Sequence, residues 1–519
     1  MLDRAGRVAA FVATMLFAQL VLAQTDVRWK AAVDGDWNDV DNWDPAVVPN
    51  NDGADTFNVI IDVTGGPYTI DLDIDVTIDS LQLVSDDATL TGAAGGTILV
   101  LNSVQLTNAA LVDITDFGSL GTFVFDSTVC DDLCDILLSH DGTSMTWTGT
   151  GNILLQGDPL GGTQLIHGAG STFEILNAQM LTADAESLFQ NLGTILKSSL
   201  GITTFTGGEL QNQGTLDVEA GSFETDSVML PAGTLTQGTW IVRDNAELAL
   251  KGTPIINNEA TVTLSGPNSI FTSFDTVEVN ASTGSFSILD GRFFSATRSL
   301  LNQGQLFVGV GSTLFIPFGS SLDNIGGQIR GSGTIINRVV NSGVVAPGAS
   351  PGVLTVLLKD PEQSFVQDEA GIVEIELGGN LPGIEYDQLQ IQGRIEFMPP
   401  PMAGTLIATL INSFVPLPGD TFDVIFYSEI VGQFQQILTP NLPCNLEIVP
   451  FYQPDRLQLV VVETCIADCT KDGVLNILDF VCFQGEWINQ TPCGDCDGNE
   501  QFNILDFVCF QGEFVMGCP

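Results

Sequence analysis

The sequence predicts a mainly β protein: a parallel β-helix, or solenoid, followed by a β-rich cap and a small α-helical module. Three observations predict this fold: a turn-and-strand repeat of nearly constant period, strands of strictly alternating polarity, and an eleven-residue duplication near the end. Many glycines, with abundant Thr, Val, Ile and Leu, agree with strands and turns. We assign residues 24–345 to the solenoid with a Trp-rich N-terminal cap, 346–463 to the C-terminal cap and 464–519 to the module.

Residues 1–23 are predicted to be a secretory signal peptide. Arg4 and Arg7 supply its positive end, Val8–Leu22 is an apolar run, and Ala23 ends an acceptable cleavage site. A membrane anchor is the rival interpretation, but the run is shorter than the ~20 residues that a span needs. We expect a protein without a transmembrane anchor after cleavage, secreted, extracellular or held at the cell surface.

The charge balance restricts the partners. The chain carries 63 acidic and 15 basic residues, a net charge of −48. Nucleic acid and anionic membranes need clustered Lys and Arg, so both are poor partners. Such a charge suits a protein among divalent cations outside the cell. Charged residues are only 15% of the chain, so it is not a disordered acidic tail.

Three tryptophans, Trp29, Trp37 and Trp43, follow the signal among Asp and Asn residues. They could form a sugar-stacking platform, or they could cover the end of the solenoid core with large rings. We favour the cap. The neighbouring aspartates do not follow a metal-binding spacing and are interpreted as solvated turn residues.

The solenoid itself is predicted from alternation and repetition. Tyr68–Asp79 alternates apolar and polar residues as one strand. An Asn- or Gln-bearing turn that ends in Gly then recurs before Thr/Leu/Val strands, as at Asn191, Asn212 and Asn302; further members lie at Gln237, Asn258, Thr283, Gly326 and Asn341. The Gly or Ala of successive members is 21, 24, 22, 24, 20, 22 and 17 residues apart. We expect the Asn side chains to serve tight corners. A β-sandwich with coincidental spacing is the rival.

The predicted cap begins with a change of pattern. Two Pro-Gly turns lie in VAPGASPGVLT, residues 345–355, and YDQLQIQG follows at residues 386–393. These segments resemble the close of secreted autotransporter-type β-helix passengers. The resemblance implies an extracellular stalk or adhesin-like body and names no catalytic residues.

The duplication places two oxygen-rich loops before two predicted helices. Asn476–Glu486 recurs unchanged as Asn503–Glu513, 27 residues later. Calcium takes six to eight oxygens, which a twelve-residue loop supplies from positions 1, 3, 5, 7 (a backbone carbonyl), 9 and 12. Polar turns alone are the rival explanation, but two loops in register favour calcium. The ligand sets are Asp468, Thr470, Asp472, Val474, Asn476 and Asp479 in the first loop, and Asp495, Asp497, Asn499, Gln501, Asn503 and Asp506 in the second.

The two loops differ at position 6, where the first has Gly473 for a sharp turn and the second has Glu500. Position 12 is Asp in both. Such paired loop–helix units with Asp at position 12 resemble the dockerin module of secreted polysaccharide-degrading assemblies. The resemblance implies a helix after each loop, calcium-dependent folding and docking to a cohesin-type protein receptor. It also implies partner contacts at positions 10 and 11, here Ile477, Leu478, Ile504 and Leu505. Because the two copies are alike, either could present the same face.

Cysteine usage agrees with export. Eight of the ten cysteines lie between Cys444 and Cys518, where a small module needs bridges, metal or both. Cys469 and Cys496 occupy equivalent loop positions, but the connectivity is open. A zinc site at the CxxC motif of Cys493–Cys496 is the less favoured alternative, since no second CxxC is suitably spaced.

Catalytic motifs are absent from the sequence. The two histidines, His140 and His167, lie in predicted turns outside metal-binding or nucleophile motifs. Paired carboxylates could serve a glycosidase, and pectin-type hydrolases and lyases use β-helices, but basic residues in the middle of the chain are few and scattered.

Three hypotheses follow. We prefer a non-catalytic structural or adhesive solenoid, attached through the calcium module. The alternatives are a polysaccharide-active hydrolase or lyase, favoured by a clustered Asp/Arg/Lys patch, and a glycan-binding protein, favoured by a row of exposed aromatics.

Overall fold

A computed structural model describes residues 23–518, apart from 53–54, 93–94, 108–110, 114–116, 126–130, 135–136, 141, 157–162, 253, 361, 443–445 and 500. The predicted signal peptide therefore lies outside the described residues, except for Ala23. The chain divides into two compact units. The first runs to Thr215 and includes Ser222–Met229, and the second consists of Leu216–Gly221 and Leu230–Pro519.

From Phe117 onward, three strands recur in each repeat of the first unit, and they pair in parallel with their counterparts one repeat later. Leu137–His140 pairs with Gln164–His167, and Ser144–Trp147 pairs with Thr172–Ile175. The unit contains a short 3-10 helix, Val40–Asn42. Counting each strand with the unit that holds most of it, the strands are Ala23–Trp29, Gly35–Asp36, Trp43–Asp44, Asp55–Ile61, Tyr68–Asp71, Val76–Leu83, Ala88–Thr91, Ile98–Leu106, Leu111–Asp113, Phe117–Ser119, Thr122–Phe125, Asp131–Cys134, Leu137–His140, Ser144–Trp147, Ile153–Gln156, Gln164–His167, Thr172–Ile175, Met180–Ala183, Leu188–Asn191, Thr194–Lys197, Ile202–Thr206, Glu209–Asn212 and Gly221–Thr225.

The second unit also consists largely of strands that pair in parallel with strands one repeat later, and its last strands pair antiparallel. Thr261–Ser265 pairs in parallel with Ser285–Leu289, whereas Arg456–Glu463 lies antiparallel to both Leu446–Tyr452 and Thr421–Phe426. Short 3-10 helices cover Pro231–Gly233, Thr272–Phe274 and Pro492–Gly494. The strands are Thr215–Val218, Thr234–Leu235, Thr239–Val242, Ala246–Leu250, Asn257–Asn258, Thr261–Ser265, Ile270–Phe271, Val279–Asn280, Ser285–Leu289, Phe293–Ser295, Leu300–Asn302, Gln305–Val308, Thr313–Phe315, Leu322–Gly331, Thr334–Ile336, Val339–Pro347, Val353–Leu357, Ser364–Asp368, Ile372–Leu377, Gln388–Gln392, Arg394–Met398, Thr405–Leu410, Thr421–Phe426, Glu429–Val431, Gln436–Leu438, Leu446–Tyr452 and Arg456–Glu463.

The coarse fold prediction is confirmed: the protein is mainly β, with large parallel sheets and two C-terminal helices. The predicted alternation also holds, since Tyr68, Ile70 and Leu72 are buried. The single strand predicted over Tyr68–Asp79 is wrong, because the chain breaks it into Tyr68–Asp71 and Val76–Leu83, which belong to different sheets.

The repeated asparagines are buried and hydrogen-bond one another across repeats. In the first unit Asn191 Nδ2 donates to Asn212 Oδ1 over 2.7 Å. In the second unit the same bond recurs five times from Asn258 to Gln367, with distances of 2.8 to 3.1 Å. Most of these asparagines end strands, whereas Asn324 and Asn341 lie inside longer ones. All are buried, so they form a core ladder, whereas we expected corner positions. The ladder in the second unit consists of Asn258, Asn280, Asn302, Asn324, Asn341 and Gln367.

The three N-terminal tryptophans are buried against one another. Trp29, Trp37 and Trp43 are at most 1% exposed. Trp43 contacts Trp29 and Trp37 edge-on, with ring centroids 4.9 and 4.7 Å apart. Their rings are therefore core, as the cap interpretation expects, and offer no surface on which a sugar could stack.

Two helices end the chain: α1, Ile477–Ile488, and α2, Ile504–Met516. They match the two copies of the duplicated segment. Among the described residues, none of the helices is both long and apolar enough to cross a membrane.

Candidate metal-binding loops

Each helix begins at a capping box that uses loop positions 9 and 12. In α1, the Asn476 side chain accepts from the Leu478 amide, and Asp479 Oδ2 accepts from the Asn476 amide, both over 2.8 Å. Asn503 and Asp506 repeat this arrangement in α2. These bonds satisfy amides that a helix N-terminus leaves unpaired. They also fix both position-12 carboxylates at the mouths of their loops.

The first loop satisfies its position-12 carboxylate internally. The second oxygen of Asp479, Oδ1, accepts from the Thr470 amide over 3.0 Å and from the Thr470 hydroxyl over 2.8 Å. The position-1 carboxylate of Asp468 accepts from the amides of Asp472 and Gly473. The carboxylates at positions 1 and 12 of the first loop are thus satisfied by hydrogen bonds from amide and hydroxyl groups of the same loop.

These bonds show in the ionisation of Asp479. Burial by itself raises the pKa of this carboxyl, but hydrogen bonds from Asn476 and Thr470 outweigh it, and the pKa lies below its ordinary value. The Asp479 carboxylate is held ionised by protein groups alone.

The second loop leaves its position-12 carboxylate open. Asp506 is 0% exposed, and its Oδ1 has no hydrogen-bond partner in the part of the chain that the structure describes. Carboxylate oxygens of Asp495, Asp497 and Asp506 lie within 4.8 Å of one another. A buried carboxylate oxygen without a donor is costly, about 1–3 kcal/mol or more. The three carboxylates of Asp495, Asp497 and Asp506 would repel one another unless a cation lay between them.

The difference between the loops comes from position 3. The Thr470 side chain offers a hydroxyl donor to Asp479, whereas the Asp497 side chain offers only acceptor oxygens to Asp506. The second loop is therefore the better candidate for a cation, although the first has Gly473 for the sharp turn at position 6. Its counterpart in the second loop, Glu500, lies outside the described residues.

The other predicted ligands take matching positions in both loops. The position-9 amides of Asn476 and Asn503 donate to the position-7 carbonyls of Val474 and Gln501, over 2.8 and 2.9 Å. The position-5 side chains, Asp472 and Asn499, each accept the amide of position 7. A carbonyl oxygen has two lone pairs, so the position-7 carbonyls keep one for a cation.

Disulfides fix each loop to its own helix. Cys469 is bonded to Cys482 and Cys496 to Cys509, each pair 13 residues apart, and Cys465–Cys518 links the ends of the module. The pairing left open by the sequence is thus settled for these six cysteines. Since Cys496 is bonded to Cys509 and Cys493 is also disulfide-bonded, no zinc thiolates remain at that CxxC.

The helices pack through phenylalanines that repeat across the pair. Phe483 stacks on its equivalent Phe510, with centroids 4.2 Å apart and planes at 12°. The flanking pairs Phe480–Phe510 and Phe483–Phe507 are equivalent and nearly equal, at 5.0 and 5.2 Å. These matched distances give the module an internal two-fold likeness.

The predicted partner-binding residues are exposed on this module. The exposed fractions are 70% for Ile477, 57% for Leu478, 71% for Ile504 and 54% for Leu505. The sequence reasoning missed Val481 and Val508, which lie about one turn further on and are 61% and 59% exposed. Their spacing from Ile477 and Ile504 was the signal that would have found them.

The first loop also contacts the body of the second unit. Lys471 Nζ donates to the carbonyls of Leu442 and Leu446 over 3.1 and 3.4 Å. Lys471 has a left-handed backbone, with φ of 56°, and Gly498 takes the equivalent position in the second loop with φ of 69°. The second loop therefore has the same backbone turn without the lysine contact.

The two histidines lie in the core of the first unit. His140 and His167 are 0% exposed and stack with ring centroids 6.3 Å apart. His167 Nδ1 lies 2.7 Å from Asn191 Oδ1, so His167 precedes the bonded asparagines Asn191 and Asn212 of the first unit. Both histidines thus continue the buried column and are not placed to exchange protons with a substrate.

One buried carboxyl has the perturbed pKa that marks many acid–base sites. Burial raises the pKa of Asp387 to about 7, against hydrogen bonds from the amides of Glu376 and Gly352 that lower it. Because Asp387 is 2% exposed and each of its oxygens accepts one of these amides, it braces the Gly352 turn.

No protein-family profile matches the chain, and no curated protein is similar to it.

Proposed function

We propose that this is a secreted or cell-surface β-solenoid protein, structural or adhesive and without catalytic activity, that docks to a protein partner through a calcium-dependent, dockerin-like module. The observation that carries the proposal is the unpartnered Asp506 Oδ1, buried beside Asp495 and Asp497. A buried carboxylate oxygen facing two further carboxylates is accounted for by a cation.

The chemistry of the second loop favours calcium. All its candidate ligands are oxygens, which suit a hard cation, and calcium accepts six to eight of them in flexible geometry. Asp495, Asp497, Asn499 and Asp506 would supply side chains, and Gln501 its carbonyl. A bound calcium would neutralise their mutual repulsion and hold the start of α2.

The first loop would bind calcium more weakly. There the cation must compete with Thr470 for Asp479 Oδ1, because both donors of Thr470 already occupy that oxygen. We propose that the second loop fills at lower calcium concentration and that the first loop fills later.

The docking surface would be the exposed apolar residues of the two helices. Ile477, Leu478 and Val481 have equivalents in Ile504, Leu505 and Val508 with nearly equal exposure. A contiguous apolar patch on a soluble protein indicates an interaction site. The likeness of the two copies lets a cohesin-type receptor bind either one.

The body supports the extracellular part of the proposal. Strands that recur three to a repeat and pair with their own counterparts are what the winding of a parallel β-helix would give. Disulfides form and persist in oxidising compartments outside the cytosol.

Calcium titration of the chain from residue 24 onward tests the metal site. We expect isothermal titration calorimetry to give one tighter and one weaker site. Asp506→Asn should remove the tighter site, and Glu513→Gln, which removes one charge from the same helix, should retain it. Unchanged binding by the Asp506→Asn variant would disprove the assignment.

Affinity capture with the same chain, in calcium and then in chelator, tests docking. We expect a surface or secreted protein to be captured in calcium alone, and to be lost when Ile477→Glu and Ile504→Glu are combined. Ile270→Glu, at an exposed residue of the body, is the matched control. Capture that persists in chelator or in the double variant would contradict docking through this face.

A further inference from the structure

A second surface, independent of the module, lies on five parallel strands of the second unit. Phe293–Ser295, Thr313–Phe315, Thr334–Ile336, Val353–Leu357 and Gln388–Gln392 pair successively in register. Their inward residues are buried; these are Phe294, Leu314, Ile335, Leu354, Val356, Leu389 and Ile391. Because side chains alternate along a strand, the remaining residues, apart from the buried Ile336 and Gln388, form one outer face, which we call the aromatic face.

Three phenylalanine rings lie together at one end of the aromatic face. Phe293 stacks on Phe315, with centroids 6.1 Å apart and planes at 24°, and Phe318 meets Phe315 edge-on at 6.3 Å. Phe293 is 51% exposed and Phe318 is 61% exposed. Single exposed apolar residues are ordinary, but three adjoining rings open to solvent indicate a binding surface.

A column of polar side chains continues from Phe293 across the strands. Thr313, Thr334, Thr355 and Gln390 lie directly opposite one another in the register, and each is partly exposed. Neighbouring strands are about 4.8 Å apart. The column therefore offers one hydroxyl or amide at each regular step.

The second outward column is neutral as well. Ser295, Phe315, Leu357 and Gln392 are aligned in the same register, and Ile336, which lies between Phe315 and Leu357, is buried. Neither column contains a charged residue, although the chain as a whole carries a net charge of −48. An uncharged face in so acidic a protein does not attract ions or charged polymers.

We propose that the aromatic face binds a neutral, linear polysaccharide lying across the strands. A pyranose ring has an apolar face of C–H groups, which stack on aromatic rings, and a rim of hydroxyls, which exchange hydrogen bonds with Thr and Gln side chains. An extended, equatorially linked chain advances one sugar in about the distance between neighbouring strands, so successive sugars meet successive members of the polar column. The three phenylalanines would hold one end of the chain.

Other occupants fit the face less well. A lipid surface would gain nothing from a regular column of hydroxyls, and an anionic polysaccharide would be repelled by the charge of the whole chain. A second copy of the protein would be repelled in the same way. Neutral glycans meet neither obstacle.

Retention on insoluble β-1,4-glucan (microcrystalline cellulose) is the test, using the chain from residue 24 onward. We expect the wild type to be retained equally in low salt, in high salt and in chelator, because the ligand is uncharged and the calcium loops take no part. Phe293→Ala combined with Phe315→Ala should weaken retention about tenfold or more. Thr334→Val, which removes a hydroxyl at constant shape, should weaken it several-fold.

Phe451→Ala is the matched control, since Phe451 is 50% exposed on the antiparallel pair Leu446–Tyr452 and Arg456–Glu463, which we call the terminal hairpin. This variant should bind as the wild type does, and circular dichroism should show that all variants are folded. Failure of the wild type to bind, or unweakened binding by the folded double variant, would overturn the proposal. The proposal would also be overturned if the double variant lost binding to phosphatidylcholine vesicles, or lost self-association in sedimentation, while it bound the glucan as the wild type does. Because binding is measured in chelator too, these outcomes leave the docking proposal untouched.

Discussion

Asn258 and Asn280, one repeat apart, are joined side chain to side chain: Asn258 Nδ2 donates to Asn280 Oδ1 over 2.8 Å, and both residues are buried. Asn280 in turn donates to Asn302 Oδ1 and to the Gln305 carbonyl. Each amide therefore serves as donor and acceptor at once, and the column aligns successive repeats.

Asn280→Asp should destabilise the second unit. The substitution keeps the shape but removes the amide donor, and it sets an unpaired carboxylate against the Asn302 and Gln305 oxygens. We expect a loss of about 3 kcal/mol, seen as a lower melting temperature. Asn268→Asp is the control, because Asn268 is exposed and the same change of charge there should have little effect. Equal melting temperatures for the two variants would contradict a stabilising ladder.

Acidification should destabilise the first unit through His140. Burial first, and His167 second, lower the pKa of His140 to about 4. Because the unfolded chain has the ordinary value of about 6.5, the unfolded state binds the proton more readily. The stability of the neutral, buried ring is complete above pH 6.5 and is lost as the pH falls towards 4.

His140→Leu checks this prediction. We expect the melting temperature of the wild type to fall further than that of the variant between pH 7 and pH 4.5, because the variant lacks the His140 imidazole. Carboxylates elsewhere titrate alike in both proteins and cancel in the comparison. Parallel melting curves over this range would show that His140 is not held neutral.

Asp479→Asn and Asp506→Asn should affect the stability of the calcium-free protein differently. In the first loop, an amide in place of Asp479 Oδ1 would face the Thr470 amide, donor against donor, and weaken the start of α1. In the second loop, an amide in place of Asp506 Oδ1 would donate to the neighbouring carboxylates and relieve their repulsion. We expect a loss of about 1–3 kcal/mol in the first variant and no loss in the second.

Hydrogen exchange of helical amides in chelator measures this contrast. The α1 amides should exchange faster in Asp479→Asn, and the α2 amides should be unchanged or slower in Asp506→Asn. Equal acceleration in both helices would mean that the loops are alike without a cation.

Much of this architecture could be predicted because its signals are local. The alternation of apolar and polar residues predicted that Tyr68, Ile70 and Leu72 are buried. The inward direction of Asn258 could not be predicted, since it depends on the residue stacked one repeat away. The exposure of Phe293 and Phe315 depends likewise on register between strands, which the sequence leaves open.

The sequence predicted which residues form the candidate site, but not the difference between its two loops. All twelve candidate ligands, six in each loop, follow from a fixed spacing. Whether a position-12 oxygen is satisfied depends on the donors of the position-3 residue, and the change from Thr470 to Asp497 was visible in the sequence. Its consequence emerges only with the Thr470–Asp479 hydrogen bonds.

Lys471 should restrain the module against the terminal hairpin. Its ammonium donates to the carbonyls of Leu442 and Leu446, while its left-handed backbone favours glycine. Lys471→Gly removes the contact and relieves the backbone, so the loop itself should remain folded. We expect faster hydrogen exchange in Leu446–Tyr452 with calcium affinity unchanged. Lys471→Ala also loses the contact but keeps the unfavourable left-handed backbone, so its first loop should be less stable than that of Lys471→Gly. Unchanged exchange of Leu446–Tyr452 in both variants would contradict a restraint by the lysine.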